Sequence, residues 1–256
     1  MSRGTVLITG ASSGIGEALA RKFHDEGFDL VITARRTDKL EALKSELSGQ
    51  DVTVIGSDLA SDAGVSAFIE AVSQHAGSVD IVINNAGMMV EGNFTELSDD
   101  DITRTISLNI TALTRITRYF AGEMKSRGHG RIVNVASVAA FHPVPGMHLY
   151  AATKAFVLSL SESLAENLRA SGVSVTAVCP GLTKTEMVDQ GLAATLPPFM
   201  MSTVEEVARE TFDAVMNREV IRVPGPANQL ALTWAQHQPR WLVRGLGGLA
   251  ARFSKN

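Results

Sequence analysis

Short apolar runs separated by helical patterns recur along most of the chain, and that alternation leaves few folds open to it. Thr5–Thr9, Asp29–Ala34, Val52–Gly56, Val79–Ile83, Arg131–Val135 and Val173–Val178 have the length and β-branched content of strands, and Val220–Val223 makes a shorter one. Between them, apolar residues return at helical spacing after Gly14, over Lys39–Leu47, Val65–His75 and Ile102–Met124, from about Leu149 to Arg169, and up to Met216. Ser98, followed by three acids, opens the long helix, and Ser202 with Glu205 makes a capping box for the last one. Strands joined through helices pair in parallel, and the helices then cover both faces. The expected fold is α/β: one domain on a doubly wound parallel sheet over residues 1–225, with a helical segment over 226–256.

In such a sheet ligands gather beyond the carboxyl ends of the strands. The first strand runs into Gly10, Gly14 and Gly16, and a helix follows. Glycines let the backbone approach a phosphate, and the free N–H groups of a helix start favour an anion. The spacing, Gly-x3-Gly-x-Gly, differs from the commonest dinucleotide pattern, and a tight connection without a ligand is the plain alternative. The second strand ends at Arg35-Arg36, where an acid for a ribose 2′-hydroxyl is common. Arginine pairs with a 2′-phosphate that an acid would repel, so the pair points to NADP over NAD unless it is merely solvated.

Asp58, Asn85, Ser137 and Thr183 also fall just after strands, so residues far apart in sequence meet on one edge. Next to that edge, Tyr150 and Lys154 share one face of a helix, about 5–6 Å apart at Cβ. An ammonium beside a phenol favours the phenolate and would bring proton exchange toward neutral pH. On a solvated helix the same spacing carries no chemistry.

The single cysteine, Cys179, excludes an internal disulfide and suits a reducing compartment, and no Cys/His cluster has metal-ligand spacing. The start of the chain reads as leaving no room for a signal peptide, and no apolar run reaches membrane-span length, so a cytoplasmic location is expected. Of the net charge of −4, +5 falls after Glu219, where there is no acid, and −9 before it. The acidic body argues against a nucleic-acid partner.

With these motifs in place, the chain closely resembles the short-chain dehydrogenase/reductase family. The likeness rests on Thr9-Gly10-Ala-Ser-Ser-Gly14-Ile-Gly16, Asn84-Asn85-Ala86-Gly87, Asn109, Ser137, Tyr150-x3-Lys154 and Pro180-Gly181, in order across roughly residues 4–225. It implies a Rossmann fold and hydride transfer between NADP(H) and a carbonyl or secondary alcohol. Tyr150 would be the general acid/base. Lys154 would lower the tyrosine pKa and hold the nicotinamide ribose. Ser137 would orient the carbonyl, and Asn109 would hold a water leading to Lys154. Gly10, Ser12, Ser13, Gly14, Ile15, Gly16, Arg35 and Arg36 would line the phosphates and adenosine ribose. Asp58 would face the adenine, Asn85, Ala86 and Gly87 the ribose side, and Pro180, Gly181, Thr183 and Thr185 the nicotinamide. The resemblance also suggests a homodimer or homotetramer. A reductase of 3-oxoacyl or other lipid carbonyls is the nearest alternative, and an NADP(H)-sensing binding module without turnover is the alternative of another class.

Six of the nine methionines (Met88, Met89, Met147, Met187, Met200, Met201) fall in segments expected to border the substrate, with Phe94, Phe141, Leu182, Leu192 and Phe199. Methionine adapts to varied apolar ligands, so an apolar carbonyl substrate is expected, against a reading as ordinary loop packing. After Pro226 the chain carries Trp234 and Trp241, and Pro239 divides it into two helices. The second has an apolar stripe flanked by Arg244, Arg252 and Lys255, so it either packs on protein or makes a weak membrane-surface contact.

Overall fold

The computed structural model describes residues 2–90, 92–144, 146–183 and 201–236, with Gln238 and Gly245. Seven strands, β1 (Thr5–Thr9), β2 (Asp29–Ala34), β3 (Val52–Gly56), β4 (Ile81–Asn84), β5 (Gly130–Val135), β6 (Val173–Val178) and β7 (Ile221–Arg222), form one sheet in the order β3-β2-β1-β4-β5-β6-β7. Every pairing is parallel, and the order reverses between β1 and β4. The register sets Thr9 beside Thr33, Asn84 beside Asn134 and Val135 beside Val178, so the carboxyl ends share one edge.

The strands are apolar throughout because both faces are covered. Val6 and Ile8 join one core with Phe23 and Phe212, from α1 (Gly14–Asp25) and α7 (Val204–Met216). Phe23 meets Phe28 and Phe212 edge-on, at 5.7 and 5.2 Å between ring centres. Leu40 and Leu43 of α2 (Thr37–Glu46) extend this core. Leu7, one residue out of phase, faces the other core with Phe68, Ile116, Phe120 and Leu168. These come from α3 (Asp62–His75), α5 (Leu113–Arg127) and α6 (His148–Arg169). Each such side chain, fully buried, contributes about 1.5–3 kcal/mol.

Ser98 caps α4 (Asp99–Ile106), accepting the Asp101 N–H at 3.1 Å, with Asp99, Asp100 and Asp101 in the first turn. The long helix expected over Ile102–Met124 is interrupted: α4 passes through a π turn, Ser107–Ala112, before α5 begins. The capping box of α7 also sits one residue later than expected, on Thr203 and Glu206. Ser202 is bridged to Thr183 and donates its N–H to Leu182 O at 3.0 Å, and the helix is capped one residue later. The last described helix, α8 (Pro226–Gln236), lays Asn228 against Gly181, where a Cβ would collide with that amide. Among the described residues no helix is long and apolar enough to cross a membrane. The expected break at Pro239 and the amphipathic stripe after it lie outside the described residues.

Candidate active site

Helix α6 carries Tyr150 and Lys154 one turn apart, against the end of β5. Lys154 is 4% exposed, and its Nζ donates to Val135 O, the last carbonyl of β5, at 2.8 Å. The same ammonium stands 5.6 Å from the centre of the Tyr150 ring. Ser137 follows β5 by two residues and is buried, and its hydroxyl accepts the Ala139 N–H at 3.1 Å. Burial pulls the Lys154 pKa down to about 8 and pushes that of the Cys179 thiol beside it up to about 12.

Burial also raises the Tyr150 pKa, with the Ser137 hydroxyl working against the shift. This is the opposite direction to the one expected from a neighbouring lysine. The phenol loses water, which disfavours phenolate, while the lysine directs its N–H at a backbone carbonyl.

Asn109 sits in the π turn, 1% exposed. Its Nδ2 donates to Met88 O at 2.9 Å and to Thr153 Oγ1 at 3.0 Å, and its Oδ1 accepts the Met88 N–H at 2.9 Å. Both amide hydrogens are thus committed, leaving one lone pair of Oδ1 as the side chain's capacity for a water. Thr153 Oγ1 passes its own hydrogen to Tyr150 O at 2.8 Å. A Cβ on Gly87 would lie 3.4 Å from both Asn109 Oδ1 and Lys154 Nζ, which places the loop after β4 against both side chains. Thr153 lies inside the Tyr150-x3-Lys154 motif, one turn after Tyr150, and its contact with Asn109 joins two helical segments that are 44 residues apart in sequence.

At the opposite side of the switch in strand order, Gly10 and Gly14 have φ of 70° and 59°, a region that favours glycine. A Cβ on Gly16 would collide with Gly10 O, so the first turn of α1 can rest on the loop only with glycine there. Ser13 precedes α1 without a side-chain cap. Its hydroxyl instead accepts from Arg36 Nη2 at 2.8 Å, and the same nitrogen reaches Ser12 Oγ at 3.2 Å. Bare helix N–H groups, a cradle that a Cβ would fill and a guanidinium across it fit the phosphates of a nucleotide. Of the two arginines, Arg36 turns back over the loop, while Arg35 is exposed at the end of β2.

Other expected residues take structural contacts. Asn85 Nδ2 donates to Thr9 O at 3.0 Å and Gly10 O at 3.2 Å, binding the glycine loop to the end of β4. Thr9 Oγ1, from the first residue of the glycine motif, accepts the Asn85 and Ala86 N–H groups at 3.0 and 2.9 Å. Ile15 packs on the first core. Asp58 is exposed and accepts the Ala60 N–H at 3.1 Å. Pro180 O accepts the Val138 N–H at 3.0 Å, and buried Thr183 donates to Gly181 O at 3.1 Å. Thr185, Met187, Leu192, Phe199 and Met200 lie outside the described residues. Of the expected apolar lining, Phe141 packs on a core cluster around Val157, whereas Phe94 is exposed, with its ring edge-on to His148 at 6.2 Å.

Fold and site define a doubly wound α/β protein with a nucleotide-type glycine loop facing a tyrosine–lysine pair. The family model for short chain dehydrogenase matches residues 4–195, and the chain belongs to the short-chain dehydrogenase/reductase family. It is an oxidoreductase of that family. The short-chain dehydrogenase from Sphingobium yanoikuyae in complex with NADPH is similar at 39% identity and a TM-score of 0.81, with 97% of this chain and 95% of that one covered. The bulky-bulky ketone specific alcohol dehydrogenase from Comamonas testosteroni is 35% identical, with a TM-score of 0.79 and 98% and 95% coverage. The 3-ketoacyl-(acyl-carrier-protein) reductase from Brucella melitensis complexed with NADH is 26% identical, with a TM-score of 0.80 and 89% and 99% coverage.

Proposed function

We propose that the protein is an NADP(H)-dependent carbonyl reductase, or alcohol dehydrogenase in reverse, acting on an apolar ketone. The reading is carried by the meeting of Tyr150, Lys154 and Ser137 at the end of β5, with the ammonium 5.6 Å from the phenol ring. When bound, the cofactor supplies the hydride, in the balance carbonyl + NADPH + H+ to alcohol + NADP+. Ser137 orients the carbonyl oxygen and takes part of the charge that develops on it. Tyr150, kept protonated by burial, gives that oxygen its proton. Lys154 holds positive charge beside the phenolate that this leaves. Asn109 fixes Met88 and, through Thr153, the backbone of Tyr150, so the reacting phenol is held in place.

Preference for NADPH rests on Arg35 and Arg36, since relatives carry NADPH in one case and NADH in another. The apolar substrate is supported by exposed Phe94 beside His148 and by the likeness to an enzyme specific for bulky ketones. The reading is tested by incubating the protein with NADPH deuterated at the transferable position and a panel of ketones. Deuterium should arrive on the carbinol carbon of aryl and bulky alkyl ketones faster than on small polar ones. Absence of labelled alcohol from every ketone removes the reading.

A further inference from the structure

The amino-terminal edge of the sheet, opposite the strand ends that carry Tyr150 and the glycine loop, holds a second feature. A cavity of about 300 Å³ there is lined by Arg3, Arg131 and Arg218, with Asp80 and His129. Three guanidiniums face one carboxylate, and that carboxylate is already engaged, Asp80 Oδ2 accepting the Thr5 N–H at 2.9 Å. Arg3 has its own partner, Glu26, at 3.2 Å, and lies over the Phe28 ring at 5.0 Å. Arg131 and Arg218 make no ion pair among the described residues, and the Arg131 Nε–H is buried without an acceptor. Burial, with the charge of Arg218 next in weight, lowers the Arg131 pKa. Asp80 offsets part of this, but three guanidiniums around one carboxylate leave the cavity net positive, a setting that favours a further anion.

Backbone geometry supplies a second, independent observation. Arg218 has φ of 57°, the one positive φ of a non-glycine residue among those described. It ends α7 in a turn in which its N–H bonds Val215 O at 3.3 Å and the Glu219 N–H bonds Ala214 O at 2.9 Å. Glycine is the usual residue in that position because the left-handed region costs any residue that has a Cβ. Here the position carries an arginine at the rim of a cavity already lined by two others. A strained residue whose side chain lines the cavity points to a use for that side chain.

We propose that this cavity binds a phosphate group, free or carried on a small molecule, between Arg131 and Arg218. The planar guanidiniums offer paired N–H donors matched to phosphate oxygens. The site is independent of the cofactor and of the reaction. Thermal unfolding of the full chain, with inorganic phosphate or glycerol 3-phosphate against sodium chloride at equal ionic strength, tests it. At least one phosphate probe should raise Tm in proportion to the logarithm of its concentration once the site is saturated. The more effective probe identifies a free or an esterified ligand. The rise should be lost in Arg131→Gln and in Arg218→Gly but kept in Arg36→Gln, whose residue lies at the glycine loop. Arg218→Gly relieves the strained turn, so it should fold at least as well as the parent without phosphate and carries the test if Arg131→Gln does not fold. The proposal is overturned by no phosphate-specific rise, by a rise that persists in Arg218→Gly, or by one that disappears in Arg36→Gln.

Discussion

The Lys154 ammonium stands 5.6 Å from the centre of the Tyr150 ring while donating its 2.8 Å hydrogen bond to Val135 O. The lysine is therefore tied to the sheet, and the tyrosine is carried past the sheet edge by the same helix. Burial acts on the two in opposite directions, each toward the neutral form: it lowers the lysine pKa and raises that of the tyrosine. A proton can then be held on the phenol until a reacting oxygen needs it, with a cation at hand when it leaves.

Lys154 should leave a mark on stability. Its pKa is about 8 in the folded protein against 10.5 for an exposed lysine. Between these values the unfolded chain keeps a proton that the folded one has released, so this group makes stability rise from about pH 8 to about pH 10.5. Below pH 8 both states are protonated and the cost of burying the ammonium is felt in full. Tyr150, shifted upward, works the other way: its contribution is present below pH 10.0 and is lost as pH rises through its folded pKa. In Lys154→Met the rise over the lysine window should disappear while the tyrosine loss remains. Urea midpoints of the two proteins measured across the window check this, and parallel curves would show that the lysine is not buried as a cation.

Cofactor choice should follow the arginines after β2. Arg36 is bonded to Ser12 and Ser13 at the start of α1, and Arg35 is exposed beside it. A charged hydrogen bond is worth about 1.5–3 kcal/mol, so Arg36→Ser should reduce kcat/KM for NADPH by about 10- to 100-fold. NADH, with no 2′-phosphate, should be affected less, and Arg35→Asp should move the ratio in the same direction. An unchanged NADPH/NADH ratio in both variants would place the selecting residue elsewhere.

Much of this was legible in the sequence because the sheet is buried on both faces. Val6, Leu7 and Ile8 all had to be apolar, and runs of that kind bounded by Gly10, Arg35 or Ser137 reveal both a strand and the residue it delivers. The π turn at Ser107–Ala112 was hidden because one widened turn barely disturbs a helical apolar pattern. The cap moved from Ser202 to Thr203 because pairing with Thr183 is a long-range contact that local capping rules do not contain. The bond from the Asn85 amide to the Thr9 and Gly10 carbonyls was hidden, since these groups meet only once β1 and β4 are adjacent. The shift of the Tyr150 pKa followed burial, which spacing alone cannot weigh against a nearby charge. The arginine cavity joins residues from five separate stretches, so no local pattern announces it.

The central claim, that the Tyr150 hydroxyl is the proton donor, is tested most directly by Tyr150→Phe, with ketone reduction and NADPH binding measured on the same preparation. General acid–base catalysis contributes about 10²–10⁴-fold, so turnover should fall by that range while the dissociation constant for NADPH changes little. Turnover within a few-fold of the parent would contradict the account.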